Sequence, residues 1–149
     1  MAVDGTLRSR HEPKQTMDRL EAEVVARGMT VFSRIDHAAG AVAVGLPLRP
    51  TALLIFGHAK AGTPLMQSAQ TIGIDLPLKA LVWQDASGDT WISWNDPSWL
   101  AQRHGLSAET ATAIGNMAAA LDAVAKAAAS SQAPENHERP RRHTNSIDH

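Results

Sequence analysis

Thr51-Ala52-Leu53-Leu54-Ile55-Phe56 runs without a charge from Pro50 to Gly57. Six such residues are too few for a buried helix, and an apolar run without polar alternation suits a central strand buried on both faces. A chain built around such a strand must supply neighbours on either side of it and helices to cover the sheet. The 149 residues allow one domain with a proper core and hardly two.

The flanking segments supply those parts. Residues 2–8 suit an edge strand. Pro13 fits the first turn of a helix, Met17, Leu20 and Val24 form its apolar stripe, and Gly28 fits its C′ position. Thr30–Ile35 alternates and is β-rich, and Asp36 is a suitable N-cap for a short Ala-rich helix over 38–44. Thr63-Pro64 reads as a helix start, Thr as N-cap and Pro at N1, for a helix running to about Thr71.

Leu78–Gln84 and Thr90–Asn95 pattern as a hairpin around Asp85–Asp89. With Ser87-Gly88 at the tip, Trp83 opposes Ile92, Leu81 opposes Trp94, and Lys79 opposes Asp96. Leu81, Trp83, Ile92 and Trp94 then share the core face, and Trp91 lies on the other. Pro97–His104 makes a helical turn, and Ser107 caps a last helix with the stripe Ile114, Met117, Leu121 and Val124. The expected architecture is one small α+β domain over residues 1–129, a mixed sheet of about five strands covered by helices. Residues 130–149 turn polar and are expected to be a disordered tail.

Composition removes several function classes. A net charge of −1 offers nucleic acid or anionic lipid no general attraction. With no cysteine, disulfides, thiolate nucleophiles and zinc–thiolate sites are excluded. No apolar run is long enough to span a bilayer or to act as a signal peptide, so the expectation is a cytoplasmic protein with no nucleic-acid or membrane partner. Histidine spacing gives no metal motif, so no metal site is expected, and any cofactor remains undefined.

The polar residues that look placed lie between Asp36 and Asp96. Asp36-His37 ends a strand, where an acid–base pair often sits, although a helix cap is the favoured account of Asp36. Lys60-Ala61-Gly62-Thr63 lies between an apolar strand and a helix start, where backbone N–H groups and the helix dipole favour an anion. The spacing is not that of a P-loop, and a capped helix with a solvated lysine accounts for the same residues.

Several stretches together resemble the domain of unknown function 302 family. They are Val31-Phe32-Ser33-Arg34-Ile35-Asp36-His37, Leu48-Arg49-Pro50-Thr51, Leu54-Ile55-Phe56-Gly57, Lys60-Ala61-Gly62-Thr63-Pro64-Leu65-Met66, Asp75-Leu76-Pro77-Leu78-Lys79 and Asn95-Asp96-Pro97, in that order over roughly residues 15–106. Two positions depart from the usual pattern: His58-Ala59 stands where Asn-Pro is usual, and Trp94 where Tyr is common. The resemblance implies a small α+β domain, often a homodimer, and assigns no activity.

The preferred reading is a domain that binds a small ligand, with anions favoured, through Arg49, Lys60, Gly62, Thr63, Lys79 and Asn95. The alternative is an enzyme using His37 as general acid or base, oriented by Asp36 or Asp96. A third is a structural, partner-binding dimer module with Trp91 at its interface. Convergence of these side chains on one cavity separates the first two from the third.

Overall fold

The computed structural model describes residues 5–130, so the expected tail lies outside the described residues apart from Ser130. Among the described residues five strands form one sheet: β1 (Gly5–Ser9), β2 (Thr30–Asp36), β3 (Thr51–Gly57), β4 (Leu78–Gln84) and β5 (Thr90–Trp94), in the order β1-β5-β4-β3-β2. The α+β class is as expected. The sheet is not mixed: every ladder is antiparallel. The apolar run of β3 is an interior strand, between β2 and β4, but it is not buried on both faces: Leu54 and Phe56 enter the core while Leu53 and Ile55 stay partly exposed on the uncovered face.

Among the described residues five α-helices accompany the sheet: α1 (Pro13–Ala26), α2 (His37–Ala43), α3 (Ala59–Ser68), α4 (Pro97–His104) and α5 (Ala111–Ala129). The stripes of α1 and α5 supply Met17, Leu20, Val24, Ile114, Met117, Leu121 and Val124 to a core shared with Leu54, Phe56, Ala80, Val82 and Ile92. Each fully buried side chain of this size contributes about 1.5–3 kcal/mol. Arg34 ties β2 to α1 through Asp18 at 2.8 Å and Glu21 at 3.1 Å.

The opposite face of the sheet carries Ile35, Leu53, Ile55, Leu81, Trp83 and Trp91, each partly exposed. The indoles of Trp83 and Trp91 stack there with centroids 6.2 Å apart, donating to Ser93 Oγ and Asp85 Oδ2, each at 2.9 Å.

The hairpin register differs from the expected one by a single residue. Trp83 faces Trp91, Val82 faces Ile92 and Ala80 faces Trp94. The turn has an odd number of residues: Asp85 N–H donates to the Asp89 carbonyl, and Gly88 takes φ 84°. That left-handed residue closes a three-residue loop instead of a two-residue tip. A one-residue slip turns a strand over, so Leu78, Ala80 and Val82 enter the core while Leu81 and Trp83 leave it.

Candidate functional site

The end of the sheet formed by Gly57, Leu78 and the start of β2 opens into a cleft of about 700 Å³. Its buried lining is Gly57, Leu78 and Met117, and its half-buried lining includes Met29, Met66, Leu76, Pro77, Ala113 and Ala120. Arg27, His58, Lys60, Thr63 and Asn116 line it as exposed groups. The volume lies within the range of small-molecule sites, which are mostly apolar with a few placed polar groups.

Local sequence explains how these parts come together. The β2–β3 ladder shifts between Val31 and Ser33, leaving Phe32 in a bulge. Bulges re-aim side chains, and the Phe32 ring is 56% exposed on the cleft wall. A Cβ added to Gly57 would lie 3.5 Å from Pro77 and 3.9 Å from the Phe32 ring, so glycine keeps this part of the cleft open.

β3 then passes directly into α3, capped by His58, whose Nδ1 accepts the Lys60 N–H at 3.1 Å. The expected start at Thr63-Pro64 is therefore corrected: α3 begins at Ala59 and carries Pro64 inside it. Thr63 is not a cap, and Lys60, Gly62 and Thr63 belong to the helix, not to a loop before it. Ala61 and Gly62 N–H groups both donate to the His58 carbonyl, so little of the helix end remains open to an anion.

Among the described residues that line the cleft there is no aspartate or glutamate. Lys14 and Lys126 pair with Asp18 and Asp122, and Lys79 donates to the carbonyls of Asp75 and Pro77 at 3.4 and 3.3 Å. Among the described residues no hydrogen bond or ion pair engages the Lys60 ammonium or the Arg27 guanidinium. Among its described residues the lining thus holds two uncompensated cations.

Of the expected binding residues, Lys60, Gly62 and Thr63 line this cleft, whereas Arg49, Lys79 and Asn95 do not. The acid–base set does not assemble. Asp36 Oδ1 accepts the Ala39 N–H at 2.9 Å and caps α2, with His37 exposed beside it. Asp96 Oδ1 accepts the Ser98 N–H at 2.9 Å and caps α4. Asp36, His37 and Arg49 lie at the end of the sheet where β3 begins, and Lys60, Asn95 and Asp96 at the end where it finishes. The length of β3 puts roughly 20 Å between the two groups.

The sequence reading missed a cluster around Asp75. Arg103 Nη1 donates to its two oxygens at 2.9 and 3.1 Å, His104 Nε2 pairs with the same carboxylate, and His104 Nδ1 meets Thr71 Oγ1 at 2.9 Å. This set ties the 3₁₀ turn Gln70–Ile74 to α4 and stands outside the cleft lining. Basic residues in a helix's last turn are an ordinary signal, so only the fold singles out His104. Among the described residues no group of three His, Asp or Glu side chains forms a candidate metal site.

Comparison with known proteins places this geometry in context. Residues 5–124 match the family described as "Domain of unknown function DUF302". Fluoride-specific ion channel FluC 1 of Brucella suis biovar 1 (strain 1330) is 49% identical over 124 residues, 83% of this chain and 49% of that protein. Fluoride-specific ion channel FluC 2 of Brucella melitensis biotype 1 (strain ATCC 23456 / CCUG 17765 / NCTC 10094 / 16M) is likewise 49% identical, over 83% of this chain and 46% of its own length. The chain thus spans about half the length of the curated relatives it matches. The crystal structure of an uncharacterized conserved protein DUF302 from Bacillus stearothermophilus superposes with a TM-score of 0.75 at 19% identity, covering 85% of this chain and 97% of that one. That likeness concerns the fold.

Proposed function

The chain belongs to the domain of unknown function DUF302 family, and on that premise we propose that it binds a small ligand, with anions favoured, in the cleft between α3, α5 and the end of the sheet. The observation that carries this reading is a cleft of about 700 Å³, largely apolar, whose described lining residues include two uncompensated cations and no carboxylate. A ligand that binds only the folded state raises stability by RT ln(1 + [L]/Kd), about 2.7 kcal/mol at 100 times Kd. Thermal melting against a panel of small organic acids tests this. Asn116→Trp, at an exposed lining position, should fill the space and abolish the gain. A gain that survives Asn116→Trp would put the ligand elsewhere.

The same reading assigns the open sheet face to a second copy of the chain. Its support is a contiguous apolar surface from Ile35 across Leu53 and Leu81 to Trp91, opposite the α1–α5 layer. Sedimentation at micromolar concentration should give twice 15.9 kDa, and a monomer there would reject the pairing. A cytoplasmic location suits a cysteine-free chain; cell fractionation tests it.

A second reading rests on the curated relatives. The aligned stretch fills about half of proteins named fluoride-specific ion channels. Among the described residues no helix is long and apolar enough to cross a membrane. On this reading the domain is an accessory unit that associates with a channel portion. Co-expression with a fluoride channel and affinity purification in detergent should recover both, and recovery of the channel alone would set the reading aside.

A further inference from the structure

We infer that the cleft takes an amphipathic monoanion, an acyl or arylalkyl carboxylate whose apolar body lies among the methionines and whose head meets Lys60 and Arg27. This rests on the binding reading above and narrows it to a ligand class. Met29, Met66 and Met117 reach the cleft from three separate segments, joined by Phe32, Leu76 and Pro77. Unbranched thioether side chains fill irregular gaps and repack around apolar groups of different shapes, so they suit a flexible chain better than one rigid ring.

The charge pattern selects the head group. Among the described residues, Lys60 and Arg27 face the cleft without a carboxylate partner, and no Asp or Glu lines it to repel an anion or attract a cation. Arginine and lysine each make short charge-assisted hydrogen bonds to a carboxylate. A phosphate site normally adds a row of free backbone N–H groups at a helix start. Here the N–H groups of Lys60, Ala61 and Gly62 are already taken by His58. A nucleobase is also poorly served, because the stacked Trp83–Trp91 pair lies on the sheet's other face and, among the described residues, the lining offers only the Phe32 ring and the His58 imidazole for stacking.

The test uses the full chain labelled with ¹³C at the methionine methyls and titrated below micelle-forming concentrations. The probes are decanoate, decanol, decyltrimethylammonium and inorganic phosphate. Decanoate should move the methyl resonances of Met29, Met66 and Met117 in a saturable way. Met17, in the core and outside the cleft, should stay still. Arg27→Ala combined with Lys60→Ala should weaken decanoate at least 10-fold and leave decanol within 2-fold; both positions are exposed, so the fold should persist. Equal binding of decanoate, decanol and decyltrimethylammonium would overturn the choice of an anionic head. Phosphate binding as tightly as decanoate would overturn the apolar body. Either result leaves the cleft as a binding site. If no probe moves a cleft methionine, the ligand class and the underlying site both fall.

Discussion

Pro64→Ala tests where α3 begins, and with it the placement of Lys60, Gly62 and Thr63 in the cleft. With α3 starting at Ala59, Pro64 lies well inside the helix. Its ring crowds the Lys60 carbonyl and it has no N–H to return to that oxygen, a defect that costs about 3 kcal/mol in a helix interior. Alanine removes this defect but loosens the unfolded chain, which takes back about 0.4–1 kcal/mol. Pro64 is exposed, so core packing does not enter. The expected gain is about 2 kcal/mol, or roughly 4–8 °C in melting temperature for a chain of this size. Thr63→Ala, an exposed interior position on the same geometry, should be neutral or gain roughly 0.5 kcal/mol. Circular dichroism melts of both variants give the answer. Were Thr63 the cap and Pro64 the first helical residue, Thr63→Ala would lose about 1 kcal/mol and Pro64→Ala would not stabilise. That pair of results would refute the helix start and move Lys60 out of α3.

Three further outcomes follow from the structure. The Lys14 hydrogen bond, with Arg34 behind it, holds the Asp18 carboxyl below its usual range, and the Trp91 indole N–H does the same for Asp85. Both pKa values are lower folded than unfolded, so their stabilisation is present above the usual carboxylate range and is lost as pH falls through the folded values; Asp85→Asn should flatten the acid limb of melting temperature against pH, and an unchanged limb would dismiss its part. Leu53→Glu, on the open face, should shift the sedimentation equilibrium towards monomer because an unpaired buried charge is costly at an interface, and an unaltered dimer would exclude that face. Phe56→Ala, in a fully buried position, should cost about 3–5 kcal/mol by chemical denaturation, and a loss below about 1 kcal/mol would contradict its place in the core.

Much of the fold was legible because the forces behind it act over a few residues. The stripe Met17, Leu20, Val24 and the stripe Ile114, Met117, Leu121, Val124 follow from helical periodicity, and both are buried. The start of β3, the bounds of β4, Pro13 at the start of α1, and Asp36 as the cap of α2 are equally local. Local reasoning failed where two local solutions compete. Thr63-Pro64 has the chemistry of a helix start, yet α3 begins five residues after Leu54 enters the core, with His58 as cap and Leu65 buried. Ser107 has the chemistry of a cap, yet its side chain makes no cap hydrogen bond and meets Ser68 Oγ at 3.3 Å. The hairpin pattern was clear, but whether two or three residues turn the corner depends on Gly88 taking a left-handed conformation, and that choice sends Leu81 and Trp83 to the open face.

By itself, then, the chain's pattern determined which segments are strands and helices, which sides of the helices are apolar, and which polar residues sit at element ends. Only the tertiary structure decided which of those ends meet. Antiparallel order β1-β5-β4-β3-β2 puts Asp36 and Arg49 at one end of the sheet and Lys60 and Asp96 at the other. The same order brings Arg27, Phe32, Lys60 and Met117 together around one cleft. Their contact depends on strand register and helix docking, which are set by burial summed over the whole sheet and have no counterpart in the spacing of residues along the chain.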